Sequence, residues 1–299
     1  MTNNQRKYEL TPKTNILIVG LGVIGGGYAR ALTKRGYTVR CITKHQPDID
    51  YALSEGMIVS GSTEVDPRLV GDADLVVIAL YPQVFIDWIR EYQQLFKPGA
   101  LITDVTGVKE RVVNTVQDML RDDVEFIAAH PMAGRERSGV EYSDDGVFRG
   151  ANFIITPTEK NTEAAIAVCR RLGEELGFSR ITELSPREHD ETVAFLSQLT
   201  HCIAVTLMTC NDSATLADYT GDSFRDLTRI AKINDEMWSE LFLLNRDALL
   251  RQMDAFSKEF AALREMLVTG DREAMRSMMR ASTARRARFD KPTNRQGKQ

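Results

Sequence analysis

"NILIVGLGVIGGGYARALTKRG", residues 15–36, decides the fold. An apolar run at 15–19 reads as a buried strand. It feeds a G-x-G-x-x-G pattern at Gly20, Gly22 and Gly25, and the pattern opens a helix. Gly20 permits the tight turn, Gly22 lets a backbone approach a pyrophosphate, and Gly25 lets helix and strand pack closely. The helix N-terminus, with Val23 and Ile24 in its first turn, offers N–H groups and a positive dipole end to an anion. This stretch predicts a dinucleotide cradle.

Outward from it, "TVRCIT", "DLVVIAL", "ALITDV", "EFIAAH" and "NFIITP" read as further buried strands rich in Val and Ile. Helix candidates such as "PQVFIDWIREYQQLF" and "KERVVNTVQDML" lie between them. That alternation predicts an α/β unit, a Rossmann-type doubly wound parallel sheet. At "SPRE" the pattern changes: Ser185 is an N-cap, Pro186 the first helical residue and Glu188 the partner in a capping box. The chain then reads as helical, and residues 234–270 form one long amphipathic pattern closing on Gly270. The expected domains are 1–184, dinucleotide-binding, and 185–299, a helical substrate-binding and dimerisation domain. A long helix with this much apolar surface suits a second subunit.

Composition sets the frame for function. With 43% hydrophobic residues, 27% charged residues and a net charge of -4, the chain suits no nucleic acid or membrane surface. Cys41, Cys169, Cys202 and Cys210 lack C-x-x-C spacing, which fits reduced thiols, a cytoplasmic setting and no metal. No secretory leader is expected at the N-terminus, and no run of about 18 apolar residues suggests a membrane span. The basic tail "ARRARFDKPTNRQGKQ" reads as a solvated end.

The end of the second strand selects the cofactor. An acid there bonds the ribose hydroxyls of NAD. Here Thr43, Lys44 and His45 stand in that place, with no carboxylate, so NADP is favoured and NAD remains possible. Leu80, Tyr81 and Pro82, at the close of "DLVVIAL", and Thr106, after "ALITDV", complete the expected cofactor site.

His130 is expected to end a strand, with Pro131 closing it, where doubly wound sheets bind ligands. A neutral imidazole there can take a proton from an alcohol while hydride leaves the same carbon. In the first helix of the second domain, Asp190 and His201 are eleven residues apart, on nearly one face with Ala194, Ser197 and Ala204. Two readings fit that small polar stripe: a cavity lining or close helix packing. His189 lies 120° from His201 and is expected outside its site. Asp226 and Arg229, three residues apart, form either a surface ion pair or a held guanidinium fork for a carboxylate.

"GLGVIGG", "DVTGVK", "HPMAGRERSG", the histidine of "LSQLTH" and "FRDLTRIAKINDEMW" occur in this order. Together they resemble the prephenate and arogenate dehydrogenases of tyrosine biosynthesis, from about residue 15 to 290. The resemblance implies oxidative decarboxylation, with His130 accepting the ring hydroxyl proton. It implies that Arg229 binds a substrate carboxylate, that Asp226 supports Arg229, and that His201 and Glu136 line the substrate pocket. It also implies a homodimer built through the helical domains. Two departures stand out. The family's serine before "VK" is Gly107 here, so Thr106 is the candidate for a replacement hydroxyl. Arg135 replaces a frequent threonine and adds a cation toward a substrate carboxylate or a cofactor phosphate. No regulatory ACT domain or fused chorismate mutase domain is expected. A 3-hydroxyacid dehydrogenase would need a lysine on the interdomain helix, and residues 186–210 hold none. A catalytically dead nucleotide-binding protein draws its support from the missing serine alone.

Overall fold

The computed structural model describes residues 8–134 and 137–290. The expectations for Arg135, Glu136 and residues 291–299 lie outside the described residues. Six strands form a parallel sheet: β1 (Asn15–Val19), β2 (Thr38–Ile42), β3 (Ser60–Ser62), β4 (Leu75–Ile78), β5 (Leu101–Asp104) and β6 (Glu125–Phe126), in the order β3-β2-β1-β4-β5-β6. The order reverses between β1 and β4, so the cleft for a ligand opens beyond their carboxyl ends. Helices α1 (Val23–Thr33), α2 (Gln46–Ser54), α3 (Pro67–Asp72), α4 (Pro82–Tyr92) and α5 (Glu110–Met119) make the crossovers. Ile16 and Ile18 point into one core with Tyr28 and Leu32, while Leu17 and Val19 point into another with Phe85 and Val112. Successive strand residues face opposite sides, so a continuous apolar run is what a sheet covered on both faces requires.

The expected strand "EFIAAH" is two strands. Phe126 closes β6, and after Ile127 the chain enters β7 (Ala128–Met132), in a second sheet with β8 (Asn152–Thr156) and β9 (Arg180–Glu183). His130 therefore sits in the middle of a strand, opposite Ile154, and Pro131 continues that strand opposite Phe153. β7 is an edge of its sheet, where a residue without an N–H leaves no ladder bond broken. Helix α6 (Glu163–Leu176) covers this sheet and shares the first core through Leu172 and Phe153.

The helical part begins as read. Glu188 N–H donates to Ser185 Oγ at 3.2 Å, and Ser185 N–H donates to Glu188 Oε2 at 2.9 Å. The run comprises α7 (Pro186–Val193), a π-helical stretch (Ala194–Leu199) and α8 (Thr200–Thr209). Its mean hydropathy reaches 1.4 over 18 residues, so against expectation it is long and apolar enough to cross a membrane, by length and composition alone. Its buried polar residues are bonded to protein groups, as described below. Then come α9 (Asp222–Thr228), α10 (Asp235–Leu244), α11 (Arg246–Thr269) and α12 (Arg272–Arg286). The long amphipathic pattern is thus two helices, broken at Asn245. That residue is buried and donates to Asp190 O at 2.9 Å and Gln198 Oε1 at 2.8 Å. The described residues form two compact units, divided after Leu249. The second unit is helical and exposes Phe260, Leu267 and Val268. The basic tail starts inside α12 and is helical at its beginning.

Candidate active site

The glycine turn has the shape its spacing predicts. Gly20 holds φ +94°, and a Cβ there would fall on the carbonyl oxygen of Ala79. A Cβ on Gly25 would strike Gly20 O and lie 3.2 Å from Ala79 Cβ, so the start of α1 presses on its own strand. Around Gly22, by contrast, a Cβ would meet nothing within 4 Å. The backbone is open on that side, and no side chain among the described residues caps α1 there. These residues fit a pyrophosphate on the helix N-terminus, with Val23 and Ile24 in its first turn. Leu80, beside Gly20, and Tyr81 and Pro82, at the start of α4, form the neighbouring rim. Tyr81 Oη accepts from Asn234 Nδ2 at 3.0 Å, which ties that rim to α10. At the far end, Thr43 donates its N–H to Ser62 O, and exposed Lys44 and His45 lead into α2.

Asp104, at the end of β5, and Lys109 form a fully buried ion pair at 2.7 Å. Asp104 Oδ1 accepts the N–H of Ala129 at 3.1 Å, and Lys109 Nζ donates to Ala129 O at 2.6 Å. Both backbone groups of the residue before His130 are thereby clamped. Burial pushes the Lys109 ammonium below its ordinary range, against the pull of Asp104. Thr106 belongs to this network too. Its N–H donates to Asp104 at 3.0 Å, and its hydroxyl bonds Asp104 and Val108 O. The hydroxyl absent at Gly107 is therefore not supplied by Thr106, whose Oγ1 is spent inside the core. At Gly107 itself, a Cβ would stand 3.5 Å from Leu241 Cδ1 and 3.9 Å from His130 Cε1, in ordinary contact.

His130 is partly accessible. Its Nδ1 lies 2.8 Å from Nε2 of His189, and His189 Nδ1 lies 2.7 Å from Asp190 Oδ1. Asp190 also accepts the backbone N–H groups of Lys109 at 2.8 Å and Glu110 at 2.9 Å, at the start of α5. Burial, then the nearness of His189 and Lys109, hold the His130 imidazole well below its ordinary value of 6.5. Burial lowers His189 as well, with Asp190 pulling the other way. Both rings are neutral at pH 7.

The sequence set His189 apart from the site of His201 and did not show its place beside His130. The available signal was an adjacent His–Asp pair at the start of an apolar helix, a buried histidine arriving with its own acceptor. Asp190 and His201 have different partners: Asp190 caps α5, whereas His201 stacks on Trp238 at 3.7 Å between ring centroids and its Nδ1 lies 2.9 Å from Ser197 O. A constant 100° count does not apply between them, because the π-helical stretch winds more residues per turn. Trp238 and Leu241 are one turn apart on α10, so Leu241 reaches the Gly107 turn while Trp238 carries His201. Asp226 and Arg229 are exposed, on the last turn of α9 and the 3-10 turn after it. A cleft of about 520 Å³, lined by Met208, Thr220, Phe224, Arg225 and Lys232 among others, holds none of the expected site residues.

Chemically, the arrangement is a neutral imidazole beside the turn that follows β5, at the carboxyl end of the parallel sheet. Comparison with known proteins agrees. The family profile "Prephenate dehydrogenase, nucleotide-binding domain" matches residues 28–182, and "Prephenate dehydrogenase, dimerization domain" matches residues 185–281. A cyclohexadienyl dehydrogenase of Zymomonas mobilis is 30% identical, over 88% of this chain and 91% of its own length. A prephenate dehydrogenase of Bacillus subtilis is 29% identical, over 87% of this chain and 72% of its own. The crystal structure of prephenate dehydrogenase from A. aeolicus, in complex with hydroxyphenyl propionate and NAD+, superposes with a TM-score of 0.85 at 28% identity. It covers 95% of this chain and 100% of that one.

Proposed function

Because this chain belongs to the prephenate dehydrogenase family, we propose that it converts prephenate to 4-hydroxyphenylpyruvate and carbon dioxide with a nicotinamide cofactor. The observation that carries the reading is His130: a neutral, clamped imidazole with an accessible edge, beside the turn at Gly107. When bound in the cradle of Gly20, Gly22 and Gly25, the cofactor accepts a hydride from the ring carbon that bears the hydroxyl. His130 takes the hydroxyl proton as the O–H bond breaks, so the oxygen becomes a carbonyl. The bond to the ring carboxylate then breaks, its electron pair completes the aromatic ring, and the proton held on His130 returns to the phenolate or to water. Arg229 receives a substrate carboxylate, with Asp226 as its support, and His201 on Trp238 bounds the pocket.

NADP is the favoured cofactor. The support is the absence of a carboxylate among Thr43, Lys44 and His45 at the end of β2. The dimerization match over residues 185–281 supports a homodimer. Buried Cys41 and Cys169 in thiol form suit a cytoplasmic setting. Arogenate carries the same ring with an amino side chain and is the second substrate to test. Prephenate and arogenate assayed side by side with NAD and NADP, at the absorbance of the reduced nicotinamide, decide substrate and cofactor together. Tight NADP binding with no turnover of either acid would refute the reading.

A further inference from the structure

His130, His189 and Asp190 form one line of hydrogen bonds whose proton positions can be counted. Asp190 already accepts two backbone N–H groups, and a carboxylate offers only acceptor sites. Its third neighbour, His189 Nδ1, is therefore the donor. A neutral imidazole carries one N–H, so His189 Nε2 is an acceptor, and His130 Nδ1, 2.8 Å away, must donate to it. His130 then has its single proton turned inward and a lone pair on Nε2. The opposite tautomer would set two lone pairs, or two N–H groups, against each other in a buried contact.

We propose that His189 and Asp190 are a positioning pair that fixes His130 as its Nδ1–H tautomer and so leaves Nε2 as the base. The proposal rests on the reading of His130 as proton acceptor. The substrate O–H bond breaks, the Nε2–H bond forms, and the new imidazolium donates from Nδ1 to His189. Among the described residues, the charged groups given beside the pair are Asp104 from β5, Lys109 before α5 and Asp190 from α7, with Cys169 from α6 behind Lys109. Burial lifts the Cys169 thiol to about 12, so it stays neutral. Asp104 and Lys109 offset each other, and Asp190 leaves one net negative charge close to the imidazolium.

Long-range 15N–1H spectra of the histidine rings test the tautomer directly, with His130→Asn to assign the signals. The parent protein at pH 7.5, without substrate, is expected to show His130 protonated at Nδ1. An Nε2–H tautomer would overturn the proposal. In turnover, His189→Leu is expected to lower kcat by about 10- to 100-fold, the usual loss when a ring's orienting partner is removed. KM should hardly move, and His189→Gln, whose Oε1 can accept from Nδ1, should restore most of the rate. Full kcat in a folded His189→Leu, or a KM effect alone, counts against the pair. The spectra need no turnover, so an Nδ1–H signal in a protein inert toward prephenate would fault the assigned reaction and leave the pair standing. If His189→Leu does not fold, the parent spectra and His189→Gln decide.

Discussion

Replacing Asp104 by Asn tests the clamp beneath the catalytic strand. The change removes the counter-charge of Lys109, which is fully buried at 2.7 Å from it. It also swaps one carboxylate oxygen for an amide donor. Oδ2 now faces Lys109 Nζ, Thr106 N–H and the Thr106 hydroxyl, so the Asn Nδ2 would meet donors. Breaking a buried pair from one side costs about 3–5 kcal/mol. A ceiling follows from proton release: neutralising a lysine of ordinary pKa 10.5 at pH 7 costs about 5 kcal/mol. The expected loss is therefore about 3–5 kcal/mol, roughly 6–20 °C in Tm for a unit of this size. Its pH dependence has a fixed sign. In the variant, the folded-state pKa of Lys109 lies far below its unfolded value, so the unfolded chain binds more protons between the two. Stability then rises with pH toward 10.5, by up to about 1.4 kcal/mol per unit. Urea unfolding followed by circular dichroism at pH 7 and 9 measures both. A loss under about 1 kcal/mol, or a loss equal at the two pH values, would refute the buried-charge reasoning.

Gly25→Ala places a methyl against Gly20 O, and should cost about 1–3 kcal/mol and weaken NADP binding at least tenfold in a fluorescence titration; unchanged affinity would detach the turn from the cofactor. Thr43→Asp adds an acceptor for a ribose and repels a 2′-phosphate, so the NADP to NAD ratio of kcat/KM should fall; a constant ratio would place the ribose elsewhere. His130 and His189 both titrate below 6.5 when folded, so the unfolded chain binds more protons and stability is lost as pH falls from about 6.5. His130→Asn should make the decline of Tm between pH 7 and 5 shallower and lower kcat by about 10²–10⁴; an unchanged decline would mean the ring is not held neutral.

The sequence by itself determined what is local. The glycine spacing at 20, 22 and 25, the capping box at Ser185 and the apolar strand runs act within a few residues, so their geometry follows from residue type. Motif order also carried the family, and with it His130. The tertiary structure decided what depends on distant partners. A continuous apolar run concealed the split at Ile127, because strands of two different sheets are equally apolar when both are buried. Pro131 reads as a stop unless the strand is known to lie on an edge. Thr106 stands next to Gly107 in sequence, yet its hydroxyl turns inward, where Asp104 and Val108 O claim it. His189 lies 59 residues from His130, and no spacing rule spans a strand, a sheet and a helix. A π-helical stretch lies between Asp190 and His201, and a face count holds only while the winding is constant.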